Sequence, residues 1–141
     1  MRLWPRPFFP RKESHPLFEQ NRLFFAQTNQ DRPLGEYDFV VFDTELTGLQ
    51  SHRDEVIAIG AVRIRNLQIL AGEIFHSYVR PTIALPKDST LIHGITPQQL
   101  ETAPHLREVL PAFVEFCGAS LLVGHYVSLD VGFVNRAARK L

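Results

Sequence analysis

The sequence predicts an α/β domain whose sheet begins with three antiparallel strands and whose second half is mainly helical. Three strand-like runs, at 39–42, 55–64 and 74–79, follow one another through short connections, and short connections join antiparallel strands. Two runs with apolar residues at helical spacing come next, at 106–117 and 129–140. Together these patterns indicate one sheet with flanking helices.

Composition is that of an ordinary globular protein and excludes several other classes. The 141 residues, 45% of them hydrophobic and 21% charged, suffice for one domain with a core. Because the formal net charge is zero, any contact with nucleic acid must be local. The single cysteine, Cys117, excludes a disulfide framework and a cysteine-based zinc site, and we predict a buried thiol. No apolar run reaches membrane-spanning length and no signal-peptide core is found, so we expect a cytoplasmic protein without membrane contact.

Residues 1–35 differ from the rest and are interpreted as an N-terminal extension, with the domain proper at 36–141. The first twelve residues mix prolines with aromatic and basic residues. Such a segment can contact nucleic acid or a partner, whereas a loosely docked tail is the common alternative. A short helix is predicted within 15–28 and a linker at 31–35.

The first strand of the domain leads into two acidic residues. The apolar run 39–42 predicts a strand buried on both faces. Asp43 and Glu45 follow, and side chains two residues apart on a strand project to the same face. Two neighbouring carboxylates repel each other, and a divalent cation such as Mg²⁺ or Mn²⁺ would compensate. From the residues alone, an acidic strand end facing water, or an Asp capping the turn at Gly48, explains the pair equally well.

Two further strands complete the predicted meander. After a polar turn at 50–54, the run 55–64 predicts a long strand whose C-terminal end exposes one face to solvent. Asn66 begins a hairpin turn, and the run 74–79 predicts a third strand that ends at Pro81.

The segment between the third strand and the first long helix is predicted to be a loop, 81–95, followed by a helix start. Thr96, Pro97 and Gln99 supply an N-cap, a proline at the first helical position and a capping-box glutamine. His93 lies within the predicted loop, where a lone histidine is usually solvated or locally hydrogen-bonded.

The last third predicts a helix, a short strand and a second helix. Apolar spacing at 106–117 favours a helix that ends at Gly118. Pro111 lies inside this pattern and should kink or divide the helix. The run 121–123 predicts a short buried strand, and 129–140 a final helix.

Three motifs together resemble the DEDD (DnaQ-like) superfamily of 3′–5′ exonucleases. They are Asp43-x-Glu45, the sequence His-Gly-Ile-Thr from His93, and Gly-His from 124 with Asp130 five residues after the histidine. The likeness covers 36–141 and is to the proofreading epsilon subunits of bacterial DNA polymerase III and to ribonuclease T. It implies a ribonuclease H-like mixed sheet, an antiparallel three-stranded meander plus a parallel strand, with flanking helices.

The resemblance implies a catalytic metal site at Asp43, Glu45 and Asp130. In the family these three acids hold two divalent cations, Mg²⁺ or Mn²⁺, that activate water and stabilise charge on the scissile phosphate. Without the resemblance, Asp130 is explained adequately as an acid in the first turn of a helix, favoured there by the helix dipole.

The resemblance also implies a set of positions that contact the substrate. Two of them depart from the family pattern in the pocket, Tyr126 where Asn is usual and Leu129 where Phe is usual. Leu46 replaces the usual Thr, which keeps the backbone amide but loses a hydroxyl. His125 is interpreted as a packed histidine. The implied substrate-binding residues are Leu46, Thr47, His93, Tyr126 and Leu129.

One motif of the family is missing from the sequence. Its third motif, a His or Tyr five residues before a fourth Asp, should follow Asp130, yet 131–141 contain neither His nor Asp. Loss of a positioned base typically costs ~10²–10⁴-fold in rate, so we expect a partial domain that has little or no activity as these 141 residues.

The resulting functional hypothesis is a 3′–5′ exonuclease acting on the 3′ end of single-stranded nucleic acid, DNA rather than RNA, with DNA polymerase subunits as partners. Two alternatives stay open at this point. One is a catalytically inactive nucleic-acid-binding or scaffold module, and the other is a fragment completed by another chain that supplies the missing residues.

Overall fold

The computed structural model describes residues 16–29 and 31–139. The basic and aromatic segment at 1–12 lies outside the described residues. The strands are β1 Phe39–Leu46, β2 Val56–Arg65, β3 Gln68–Tyr78 and β4 Leu121–Val123. The helices are α1 Pro16–Gln27, α2 Lys87–His93, α3 Pro97–Glu101, α4 Leu106–Cys117 and α5 Val127–Ala138.

The four strands form one mixed sheet in the order β3-β2-β1-β4. β1 and β3 both run antiparallel to β2, while β4 runs parallel to β1. The predicted meander and the additional parallel strand are therefore confirmed.

The hairpin between β2 and β3 is longer than predicted. Its turn consists of Asn66 and Leu67, both with positive φ (51° and 60°), which is the backbone of a tight two-residue hairpin. β3 begins at Gln68 rather than at Ile74. Leu70 pairs with Arg63 and Ile74 pairs with Val62, so residues 71–73 have no partners in β2 and form a bulge. The bulge breaks the two-residue alternation, which is why the sequence pattern indicated only the second half of the strand.

The prediction of a continuous loop at 81–95 is wrong, because α2 lies within it. The helix is only seven residues long, too short to show a helical period. It is stabilised locally instead: Ser89 donates its hydroxyl to the Pro86 carbonyl at 2.8 Å, and Gly94 ends the helix in the left-handed conformation at φ 73°.

Helix α4 is not divided at Pro111 and runs unbroken from Leu106 to Cys117. The proline removes one backbone hydrogen bond, but the apolar face of the helix packs on the sheet and outweighs that loss. Phe113 contacts the rings of Phe42 and Phe75 at centroid distances of 5.3 and 5.5 Å. As predicted, Gly118 is the C-cap.

The main core lies between the inner face of the sheet and helices α1, α4 and α5. Phe18 of α1 is fully buried in it, and Asn21 of the same helix donates to the Gly118 carbonyl at 2.6 Å. Cys117 is buried as predicted, and burial raises the pKa of its thiol to about 12, so it is an unreactive packing residue. Among the described residues, no helix has the length and apolar character needed to span a membrane.

Candidate active site

Strand β1 carries the acidic pair and continues through it. Val40 and Phe42 are buried on the inner face, whereas the alternate residues Phe39 and Val41 are only half-buried, so the prediction of burial on both faces holds for one face. Asp43 is exposed and Glu45 half-buried, and they pair with Gly60 and Ala58 of β2. Small residues opposite the acids leave space beside both carboxylates.

The short strand β4 leaves part of β1 without a neighbour. β4 ends at Val123, which pairs with Val41, and the chain then turns away at Gly124. A Cβ at that position would lie 2.7 Å from the Phe42 carbonyl oxygen, closer than real Cβ atoms come. Glycine therefore lets the chain pass against β1, and Tyr126, at φ 54°, is the N-cap of helix α5 beside the open edge.

This path brings Asp130, in the first turn of α5, onto the edge of β1. Asp130 is 4% exposed. Its Oδ1 accepts the backbone N–H of Thr44 at 3.1 Å and also the Thr44 hydroxyl. Thr44 lies between Asp43 and Glu45, so Asp130 contacts the segment that carries the pair, although 86 residues separate it from Thr44.

The carboxyl groups of Asp43 and Glu45 are affected by lost hydration and by neighbouring negative charge. The pKa of Asp43 is raised, first by lost hydration and then by the negative charge of Asp130. The pKa of Glu45 is raised by lost hydration and then by Asp43. The imidazoles of His125 and His93 partly oppose these shifts. The site therefore holds an excess of negative charge that a bound cation would relieve.

The pH dependence of stability follows from these raised values. Each of these carboxyl groups binds its proton more tightly in the folded state than in the unfolded state. The resulting stabilisation of the fold is complete below the unfolded-state pKa of about 4 and is lost as the pH rises through the higher folded-state pKa. In EDTA, we expect Asp43→Asn to unfold at a higher temperature than wild type at pH 7. The gain should be small, on the order of 0.5 kcal/mol, because Asp43 is exposed.

Circular dichroism melts from pH 3 to pH 8 would check this, with the exposed Asp31→Asn as the matched control. The difference between Asp43→Asn and wild type should disappear at the acid end. A variant that is less stable than wild type at pH 7 would contradict the proposed repulsion.

The carboxylates of the three acids are suitable ligands for a hard divalent cation, although their side chains do not surround a common point. No group of three His, Cys, Asp or Glu side chains within 16–29 and 31–139 is arranged to hold an ion. All three acids nevertheless supply carboxylate oxygens, the donors that Mg²⁺ and Mn²⁺ prefer. Asp43 is exposed, so packing does not fix the direction of its side chain. Arg53 is the basic residue nearest in the sequence to the pair Asp43 and Glu45, but it forms an ion pair with Asp54 at 3.7 Å.

The turn that follows β1 supports the end of the strand that carries the acids. Asp54 is buried and accepts the Gln50 N–H at 2.8 Å. Gly48 makes room for it, since a Cβ there would lie 2.5 Å from the Asp54 carboxylate. Arg136 of α5 donates to the Asp54 backbone carbonyl. Helix α5 is thus held at two points, by Asp130 on β1 and by Arg136 on the turn.

Several predicted substrate-binding residues have their side chains turned inward. Leu46 is buried in the main core, so only its backbone faces the site. The Thr47 hydroxyl accepts the Glu55 N–H at 3.0 Å and lies 3.3 Å from Asp54 Oδ1. Leu129 is half-buried against the core, whereas Tyr126 is exposed.

His93 is the last residue of α2 rather than a loop residue. Its Nδ1 accepts the Ile95 N–H at 3.0 Å, which puts the ring proton on Nε2. Nε2 is buried and has no hydrogen-bond partner in the described part of the chain. His125, interpreted from the sequence as a packed histidine, is exposed instead, because it lies in the turn where the chain leaves β4.

Sequence reasoning predicted a substrate contact for Tyr126 but missed the rest of an exposed apolar set, which we call the apolar rim. The large apolar side chains that are most exposed in the described residues lie on the segments that carry the acids and histidines, at 73–86% exposure. Their neighbours in sequence are Gly48, His93 and His125. The sequence signal that could have revealed the rim is an apolar residue next to each of these motif residues. The rim consists of Leu49, Leu91, Ile92 and Tyr126.

Comparisons with known proteins place these observations in context. The family described as Exonuclease (RNase_T) matches residues 40–141. A DNA polymerase III PolC-type protein of Caldanaerobacter subterraneus subsp. tengcongensis is 42% identical over 106 residues, which cover 75% of this chain and 7% of the relative. The DNA polymerase III subunit epsilon of Aquifex aeolicus is 38% identical over 102 residues, covering 72% of this chain and 50% of the relative.

A solved structure shares the fold. The exonuclease I of Methylocaldum szegediense superposes with a TM-score of 0.64 at 21% identity, over 72% of this chain and 23% of that one. The chain thus spans half or less of the length of each of these proteins.

Proposed function

The chain belongs to the exonuclease family, with a DnaQ-type domain homologous to 3′–5′ exonucleases, and on that premise we propose that it binds two divalent cations and the 3′ end of single-stranded nucleic acid for hydrolysis. One observation carries the proposal: Asp130 is hydrogen-bonded to Thr44, the residue between Asp43 and Glu45, and its negative charge helps to raise the pKa of Asp43.

The three acids would hold Mg²⁺ or Mn²⁺ through their carboxylate oxygens. Such ions, when bound, make an attacking water more acidic and stabilise the charge that develops on the phosphate. Asp130 is held in place by Thr44, while Asp43 and Glu45 would close around the ions when these bind. The buried Nε2–H of His93 has no partner among the described residues, and we propose that it donates to an oxygen of the strand end when the strand is bound.

The apolar rim supports an unpaired strand end as the ligand. Unstacked bases expose planar apolar faces that pack on aromatic and aliphatic side chains, and the rim residues Leu91, Ile92 and Tyr126 offer such a surface. Because the chain as a whole carries no net charge, a broad phosphate-binding surface contributes little. In this proposal, the terminal bases of the nucleic acid pack on the rim and its 3′ end lies at the acids.

We further propose DNA as the substrate and DNA polymerase subunits as partners, in the cytoplasm. The support is that curated relatives are named DNA polymerase III PolC-type and epsilon proteins.

A labelled oligonucleotide assay tests the proposed function. Single-stranded DNA with a 5′ label, incubated with the chain and Mn²⁺, should yield products that shorten stepwise from the 3′ end. The rate should be low, because 131–141 supply no His or Asp as a positioned base, and such a base is worth ~10²–10⁴-fold. Asp43→Ala serves as the background control, and RNA and blunt duplex DNA of the same sequence test the substrate preference.

The exposed apolar side chains of Leu91, Ile92 and Tyr126 also favour a second candidate, a module that binds strand ends without cleaving them, since such side chains pack on bases without a bound ion. Binding of the oligonucleotide without shortening, equal in wild type and Asp43→Ala, would support that candidate. Shortening from the 5′ end, or shortening that persists in Asp43→Ala, would contradict the exonuclease proposal.

A further inference from the structure

We propose that Thr44 is a positioning residue that holds Asp130 in the orientation needed to bind a divalent cation together with Asp43 and Glu45. The inference rests on the proposed function and assigns a role to the residue between the two acids, whose side chain cannot join theirs on the outer face.

The backbone of Thr44 faces Asp130 because of where β4 stops. On the β4 side of β1, even-numbered residues present their polar backbone groups: the Asp38 carbonyl accepts the Leu121 N–H at 2.8 Å, and the Phe42 carbonyl faces Gly124. Thr44 is the next residue on that edge, beyond the last strand pair. Its N–H would therefore have no strand partner, and Asp130 replaces that partner at 3.1 Å.

The side chain of Thr44 supplies a second donor to the same atom. Its hydroxyl, like its N–H, donates to Asp130 Oδ1. Asp130 Oδ2 accepts no hydrogen bond from the described residues. Two donors on one oxygen fix the rotation of the carboxyl group and direct the other oxygen away from Thr44. That oxygen is then available to an ion beside Asp43.

Burial makes this arrangement difficult to replace with water. Thr44 and Asp130 are both among the buried polar residues, so removal of the hydroxyl leaves a shielded carboxylate with one donor fewer. Helix α5 keeps its second attachment, from Arg136 to the Asp54 carbonyl. Loss of the hydroxyl should therefore disturb the orientation of the carboxylate more than the position of the helix.

Calorimetric titration with Mn²⁺ compares the wild-type chain with Thr44→Val, which keeps the shape and removes the hydroxyl, and with Thr44→Ser, which keeps both donors. Outer-shell partners of metal ligands are typically worth about 10–100-fold in affinity. Thr44→Val should lose affinity in that range, and Thr44→Ser should bind close to wild type. The exposed Thr102→Val is the matched control and should change nothing.

A second measurement needs no metal and no Thr44 substitution. In EDTA, the Thr44 amide should exchange slowly with solvent in wild type and at least about tenfold faster in Asp130→Ala, whereas the Val40 amide, within the paired part of β1, should be unaffected. A Thr44 amide insensitive to Asp130→Ala would overturn the proposed contact.

The outcomes separate this inference from the proposed function. A wild-type chain that binds Mn²⁺ no more tightly than Thr44→Val would overturn the role of Thr44 and leave the metal site intact. A wild-type chain that binds no Mn²⁺ at all would overturn the proposed function and the role of Thr44 with it.

Discussion

Replacement of Asp43 by alanine is expected to weaken Mn²⁺ binding by about 100-fold or more while the fold is retained. Outer-shell residues alone are worth about 10–100-fold, and a direct ligand should match or exceed the upper end. The side chain is exposed at the end of β1, so its removal leaves no buried cavity. Calorimetric titration of wild type and variant measures the difference.

The matched control is Asp88→Ala, an exposed acid in the first turn of α2. It should leave Mn²⁺ affinity unchanged. Equal loss in both variants would mean that the ion is attracted by general surface charge, and no loss in Asp43→Ala would place the ion elsewhere.

Gly124→Ala is expected to destabilise the domain and to separate Asp130 from Thr44. The new Cβ would lie 2.7 Å from the Phe42 carbonyl oxygen, a backbone atom within the sheet, and such crowding typically costs about 1–3 kcal/mol. The shift of the chain would move the start of α5 and with it Asp130. Urea unfolding gives the loss of stability, and Mn²⁺ titration gives the accompanying loss of affinity.

Gly132→Ala provides the comparison within the same segment. Gly132 lies in α5, and a Cβ there meets nothing within 4 Å. Because alanine favours helix over glycine by up to about 1 kcal/mol, this variant should be as stable as wild type or more stable. If the two variants lost equal stability, the close approach at Gly124 would not be the cause.

Local sequence signals predicted most of the fold, because they act over short distances. The helix at 106–117 and the capping box at Thr96 depend on neighbouring residues, and both are found as predicted. The strand at 121–123 is also found, but it is half-buried to exposed rather than buried, because it lies at the edge of the sheet. The convergence of Asp130 with Asp43 required the family resemblance, since the residues alone explain Asp130 equally well as a helix acid.

Features that depend on distant contacts could not be read from the sequence. Helix α2 is too short for a period, and the bulge in β3 hides half of that strand. The role of Thr44 depends on where β4 ends, and the contact of Arg136 with the turn at Asp54 joins segments 82 residues apart. The open edge of β1, which organises the site, exists only once the sheet has formed.

Anomalous diffraction from a crystal of the chain grown with Mn²⁺ tests the central claim most directly. We expect a manganese peak roughly 2 Å from carboxylate oxygens of Asp43 and Asp130, with Glu45 against the same ions and Oδ1 of Asp130 still bonded to Thr44. A crystal saturated with Mn²⁺ that shows no peak between these side chains, or that shows Asp130 turned away from Asp43, would contradict the metal site and the exonuclease function proposed from it.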